Sequence, residues 1–463
     1  MARQLCAFRS IALAACLTAV VGGSELSAQQ ASGIADQYRE AANRIIAAAL
    51  SDSSAYNRLT ELVDRFGHRF SGSSNLERAL DWILDEMERD GLDNVRGEPV
   101  MVPHWVRGNE SATLLEPRSK QLHMLGLGGS IGTPPEGIIA EVLVIESFDE
   151  LSERAAEAEG KIVLFNAPWM GYGPTVQYRG RGAVAAAEAG AVASLIRSVT
   201  PYSMDTPHTG AMGYSDDVRR IPHAAITAED AGMLQRMQER GERIVVRLQM
   251  EAETLPDVES RNVMAEIVGY EMPEEVIVMG GHIDSWDVGQ GAMDDGGGCV
   301  AAWEAVKLLQ RLGLRPRRTV RVVMWTNEEN GLRGGNAYRD AHRAELENHV
   351  LAIESDAGVF EPKGFGFSGS DAAFDLVSQI GALLEPINAG QISRGGGGAD
   401  IGPIMREGVP GMGLNVDGSK YFWYHHSNAD TIDKLDPREV ALSVAALAVM
   451  SYVVADMEPR LPR

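Results

Sequence analysis

Four short segments of this chain carry side chains able to hold a metal ion or move a proton. They are His282 with Asp284, the pair Glu328-Glu329, Asp356, and the run Tyr424-His425-His426-Ser427-Asn428-Ala429-Asp430, which sets imidazoles beside a carboxylate able to orient one of them. Asp294 and Asp295 follow His282 by twelve and thirteen residues, where the next helix should begin and an acid could serve either a metal or the helix end. Gathered in one place without a cation, so many carboxylates would repel one another strongly, and a metal resolves that. With nitrogen and oxygen donors and no thiolate, zinc leads, and manganese or cobalt are the alternatives. Cys299 falls in the apolar helical run Cys299-Val300-Ala301-Ala302 and reads as a small buried hydrophobe. The remaining histidines, His68, His104, His123, His208, His223, His342 and His349, read as surface or core groups. If one carboxylate bridged two cations roughly 3.5 to 4 Å apart, water between them could attack a carbonyl near neutral pH. Glu328 and Glu329 would then divide the work, one binding metal and its neighbour handling protons, and spacing alone does not say which.

The elements that must position these groups follow from apolar periodicity. From Arg261 onward the pattern predicts a strand over 276–279, a helix over 297–312, a strand over 319–325, a helix over 332–346 and a strand over 350–353. That is an α/β fold, a mostly parallel sheet covered by helices on both faces, with ligands collecting at the carboxyl ends of its strands. A last helix over 437–454 closes it. Surface helices are expected over 37–50 and 75–90. Between about 116 and 253 the texture changes to short strands, over 138–145, 161–165, 193–196 and 244–248, with an alanine-rich helix over 182–189. An inserted β-rich domain is the simplest reading. The chain divides into residues 1–28 as a signal peptide, 29–115 as the N-terminal part of a catalytic domain, 116–255 as the insert, and 256–463 as the main catalytic part.

A chain of 463 residues with 44% hydrophobic and 23% charged residues has the make-up of a globular protein with a sizeable core. Past the N-terminus no run of about 18 apolar residues is apparent, so no integral membrane segment is expected after processing. With 42 basic against 65 acidic residues the formal charge is -23, which argues against nucleic acid as a partner. Arg3 and Arg9 precede an apolar stretch over 11–21, the pattern of an export signal cleaved after Ala28, for a periplasmic or secreted protein. Leu13-Ala14-Ala15-Cys16 also looks like a lipoprotein processing site. Loss of residues 1–28 leaves Cys299 alone, so no internal disulfide is expected. The glycine-rich stretch 126–132 reads as turns, and Gly395 to Gly398 as a flexible loop near the cleft, where amides could meet a substrate carboxylate.

The segment from Gly281 to Gly297, with Trp325 to Gly331, Glu354 to Gly358 and Tyr421 to Ser427, closely resembles the M28 family of co-catalytic zinc peptidases. The resemblance implies two zinc ions bridged by Asp294, with His282 and Asp356 completing one site and Glu329 and His426 the other. It makes Glu328 the general base and has Asp284 orient the His282 imidazole. His426 is taken over His425 because His426 and Asp430 match the family's His-x-x-x-Asp spacing. It also implies a cis peptide after Asp294, a protease-associated insert and a homodimer. The expected activity is that of an exported metallo-exopeptidase, a dipeptidase or carboxypeptidase acting on dipeptides or short peptides with free termini. An aminopeptidase trimming longer peptides is the alternative. A single-zinc glutaminyl cyclase is more remote because the full five-ligand set is present, and a catalytically silent binding protein on the same fold is more remote because its expected sign is lost ligands and none is lost.

Overall fold

Three strands that supply the acid and imidazole groups are buried almost without alternation, as strands covered on both faces must be. Met272–His282 is buried from Val276 onward, and Arg318–Trp325 and His349–Glu354 are buried at every position. Along the first of these, Ile277 and Met279 enter one apolar core while Val278 enters another. The first core is closed by the helices Ile34–Leu50, Ser54–Phe66, Gly297–Arg311 and Pro437–Asp456, and the second by Arg333–Ala341 and its neighbours.

In this computed structural model the described residues are 33–202 and 204–463. The expected signal segment 1–28, with Cys16, lies outside them. Met272–His282 pairs in parallel with Arg318–Trp325 on one side and His349–Glu354 on the other, and Gly411–Val416 continues the parallel set. Their carboxyl ends therefore share one edge, with His282 in register with Trp325 and Glu354 with Gly280. The flanks depart from a purely parallel sheet. Asp93–Val106 and Glu253–Ile267 join on one side in antiparallel fashion, and Pro362–Ser368 lies antiparallel to Gly411–Val416 on the other.

A second eight-stranded sheet is built from residues between 110 and 250 and has apolar clusters of its own. The long pair Asp93–Val106 and Glu253–Ile267 carries the chain out to it and back. Its helix Tyr172–Glu188 begins ten residues before the predicted 182–189, because Pro174, Gly180 and Gly182 hide a helix from a propensity reading. The predicted helix 332–346 is two pieces, Arg333–Ala341 followed by a 3-10 turn over Arg343–Asn348. Ser54–Phe66 is an additional helix, burying Ala55, Leu59, Leu62, Val63 and Phe66 along one stripe.

One helix corrects the expectation about apolar runs. Pro437–Asp456 is long and apolar enough to cross a membrane by length and composition, yet 89% of that window is buried inside the molecule. Arg438, Ser443 and Ser451 interrupt the run in sequence, and the helix packs against Gly297–Arg311 and Ile34–Leu50. Its start is set by Pro437 in the first turn and by Asp436, whose side chain accepts from the Arg438 N–H. Cys299 is free and fully buried.

Candidate metal centre

His282 ends its strand at the shared edge, and the chain then loops through residues 283–291 before the turn Ala292–Gly296 delivers Asp294. Arg69, fully buried, staples that loop. Its Nε donates to the Ile283 carbonyl, Nη1 to that of Gln290 and Nη2 to that of Gly291, each at 2.8 Å. The turn is held by Asp430, whose carboxylate accepts from the main-chain N–H groups of Ala292, Met293 and Asp294 at 3.1, 2.7 and 3.2 Å. The acid that spacing paired with an imidazole thus serves three backbone donors. The Asp294–Asp295 peptide is cis, as the resemblance implied.

Asp294 stands between two imidazoles. Its Oδ1 lies 3.2 Å from His282 Nε2 and its Oδ2 3.4 Å from His426 Nε2. Asp356 Oδ1 is 3.3 Å from His282 Nε2, and Glu329 Oε2 is 3.0 Å from His426 Nε2. The structure therefore brings His282, Asp294, Glu329, Asp356 and His426 together from five places in the sequence. Of the other candidates, His425 Nε2 is 3.7 Å from Asp294 Oδ2, a longer approach than that of His426. Asp295 spends both oxygens on main chain, accepting from Gly298 N at the helix start and from His282 N. It caps the helix.

Asp284 acts in a way its spacing did not reveal. His282 Nδ1 approaches the Asp284 main-chain oxygen at 2.9 Å, whereas the nearest side-chain oxygen is 3.8 Å away. The carboxylate instead accepts from the N–H groups of Glu328 and Glu329, at 3.1 and 3.3 Å. It fixes the turn on which both glutamates stand. Asn327, immediately before them, and His426 each hold positive φ, 67° and 59°, which few non-glycine residues adopt.

Two buried oxygens in this cluster, Asp294 Oδ2 and Glu329 Oε1, lack any hydrogen-bond partner, a state that a bound cation relieves. Electrostatics points the same way. Burial opposes charge on His282, yet Asp356 and Asp294 hold its imidazole well above the ordinary range. Burial and the charges of Asp356 and Glu329 push the Glu328 carboxyl up to about 8. Burial also raises Glu329 and Asp356. Carboxylates that resist ionising beside imidazoles that resist losing protons fit a site built around positive charge, and the nitrogen and oxygen donors suit zinc.

Beside the cluster opens a cavity of about 250 Å³, lined by Asp294, Glu328, Glu329 and Asp356 and walled by Tyr172, Arg179, Tyr421 and Phe422. Tyr172 and Arg179 come from the second sheet's helix. The loop between that sheet's strands Ala193–Arg197 and His223–Ile226 also grips the His426 loop: His208 bridges Ser427, and Thr209 N donates to the His426 carbonyl at 2.9 Å. Arg69 and Arg179 were not singled out by sequence, and His208 was read there as a surface or core group, because no spacing rule ties a lone arginine or histidine to partners a hundred or more residues away.

This fold and cluster are those of a metallo-exopeptidase, and the chain belongs to peptidase family M28, whose model matches residues 262–451. It is similar to carboxypeptidase Q: the Homo sapiens protein is 52% identical over 413 residues, 89% of this chain and 88% of that one. The Mus musculus protein is 50% identical over 92% of this chain and 91% of its own. Among solved structures, a peptidase M28 precursor from Shewanella amazonensis superposes with a TM-score of 0.89 at 36% identity, covering 93% of this chain and 99% of that one. An aminopeptidase from Aneurinibacillus sp. strain AM-1 shares the fold, with a TM-score of 0.63 at 20% identity over 89% and 95%.

Proposed function

We propose that the protein is an exported dinuclear zinc exopeptidase that hydrolyses dipeptides or short peptides with free termini. The observation that carries this reading is Asp294, whose two oxygens face different imidazoles, each accompanied by one further carboxylate. His282 and Asp356 would hold one zinc, Glu329 and His426 the other, and Asp294 both. Bound there, the two ions supply the charge that acidifies water and polarises a peptide carbonyl.

Glu328 is the general base. It stands next to Glu329 of the cluster on a turn pinned by Asp284, lines the same cavity and, among the described residues, makes no ion pair with an imidazole. It takes a proton on its carboxylate and returns it to the leaving amine nitrogen. The carboxypeptidase Q relatives support action at a chain end, and the small cavity favours substrates of a few residues. The second sheet takes the part of an inserted protease-associated-type domain, over 116–255, against a catalytic unit of 29–115 and 256–463. Residues 1–28 direct export, and a homodimer follows from the resemblance.

Elemental analysis of protein purified without chelator, together with rates on a dipeptide and its longer extensions, tests the proposal. The expected result is two zinc ions per chain and fastest turnover of the dipeptide. Preference for the extended peptides would replace it with an aminopeptidase, and protein lacking metal and activity would end it.

A further inference from the structure

The two sheets meet beside the metal centre, and one guanidinium holds the joint. Arg107 stands where the chain leaves the strand Asp93–Val106 for the second sheet. Its Nε donates to Asp287 Oδ2 at 2.7 Å and its Nη2 to Asp287 Oδ1 at 2.5 Å, a two-pronged ion pair whose side chains are only 11% and 16% exposed. Asp287 belongs to the loop 283–291, which runs from His282 to the turn bearing Asp294. On the other side, Nη1 donates to the Gly126 carbonyl and lies 3.5 Å from Glu110 Oε1, and Nη2 donates to Thr209 Oγ1 at 3.3 Å. Among the described residues this is the one ion pair that joins residues 107–252 to the rest of the chain.

The same loop is packed as well as paired. Trp286, next to Asp287, is 2% exposed, stacks on Phe70 with ring centroids 4.8 Å apart and comes within 5.6 Å of the His426 ring. Its far edge rests on Gly128, where a Cβ would fall 2.0 Å from the indole. The glycine-rich stretch 126–132 is therefore a seat for a tryptophan of the catalytic loop. Thr209 links Arg107 to the second metal-bearing loop, since its Oγ1 accepts from Arg107 and its N–H donates to the His426 carbonyl. One arginine thus touches the loop between His282 and Asp294 directly and that of His426 through a single intermediary.

We propose that Arg107 is a specificity-determining residue: by clamping Asp287 it fixes the separation between the cavity's walls and so limits the length of peptide that can bind. The cavity has Asp294, Glu328 and Asp356 on one side and Tyr172 on the other, and these come from different sheets, so its width is set by the joint. A tetrapeptide adds about 7 Å of extended chain to a dipeptide, and that length must pass between walls held at the clamped spacing. Without the guanidinium, Glu110 and Asp287 repel each other as partly buried like charges, which spreads the joint. The assignment rests on the short-peptide reading above and names the residue that would enforce it.

The test compares dialanine with tetraalanine in the wild type, Arg107→Met and Arg107→Lys. The ratio of kcat/KM on tetraalanine to that on dialanine is expected to rise about 10-fold in Arg107→Met, and by less in Arg107→Lys, which keeps the charge without the fork. A merely structural role lowers both substrates alike and leaves the ratio where it was. Asp287→Asn weakens the same pair from the other side and carries the comparison if the methionine variant does not fold. Hydrogen exchange supplies a readout apart from turnover: peptides over 205–212 and 283–291 should exchange faster in Arg107→Met than in the wild type. An unchanged ratio, or unchanged exchange in both segments, overturns the role of Arg107 and leaves the short-peptide reading standing. A wild type that prefers tetraalanine, or cleaves neither peptide, overturns that reading and the assignment with it.

Discussion

Glu328 and Glu329 are chemically alike and adjacent, and the fold gives them different neighbours. Glu329 reaches His426 at 3.0 Å, while Glu328 faces the cavity. Replacing Glu328 by Ala should therefore cut turnover by about 100-fold or more while both metals stay bound, which rates and elemental analysis on one preparation would check. Near-normal turnover would remove Glu328 as the base. The residue types of the cluster were legible in sequence because few side chains can hold a hard or borderline cation. Who orients whom was not legible. Asp284 and Asp430 both turn to main-chain N–H groups, and those donors exist only once the turns at 328–329 and 292–294 have folded.

At the scale of elements, the parallel strands and the long helices at either end were readable, because continuous burial and 3.6-residue periodicity leave marks in sequence. The antiparallel strand pair Asp93–Val106 and Glu253–Ile267 was not, since it carries polar residues and mixed burial along much of its length. The turn Ala292–Gly296 offers three successive N–H groups to the Asp430 carboxylate. Asp430→Asn replaces an oxygen acceptor with a donor that faces an N–H group, so it should cost about 3 kcal/mol of stability. Metal affinity should fall about 10-fold or more, since Asp294 rides on that turn. Urea unfolding and competition with a chelator would measure the two, and unchanged metal affinity would show that Asp294 is positioned without it.

Across the whole molecule, two histidines far from the metal cluster set a pH limit. His223 and His349 are both fully buried, and burial pushes each down to about 4. In the unfolded chain they titrate near ~6.5. Between those values the unfolded state holds the protons and the folded state does not, so stability is full above about pH 7 and falls as pH drops toward about 4, by up to about 3 kcal/mol for each group. Metal-free wild type and the double variant His223→Gln, His349→Gln, unfolded in urea across that range, should differ in slope, with the variant flatter. Parallel curves would exclude these two histidines as the cause.

The loop bearing His426 is tied to both halves of the molecule, through residues 208 and 209 to the segment between the strands Ala193–Arg197 and His223–Ile226, and through Asp430 to the turn Ala292–Gly296. Any swing of one half of the molecule away from the other would pull directly on the His426 loop. A peptide too bulky to slip between the halves is then expected to be refused rather than admitted by prising them apart.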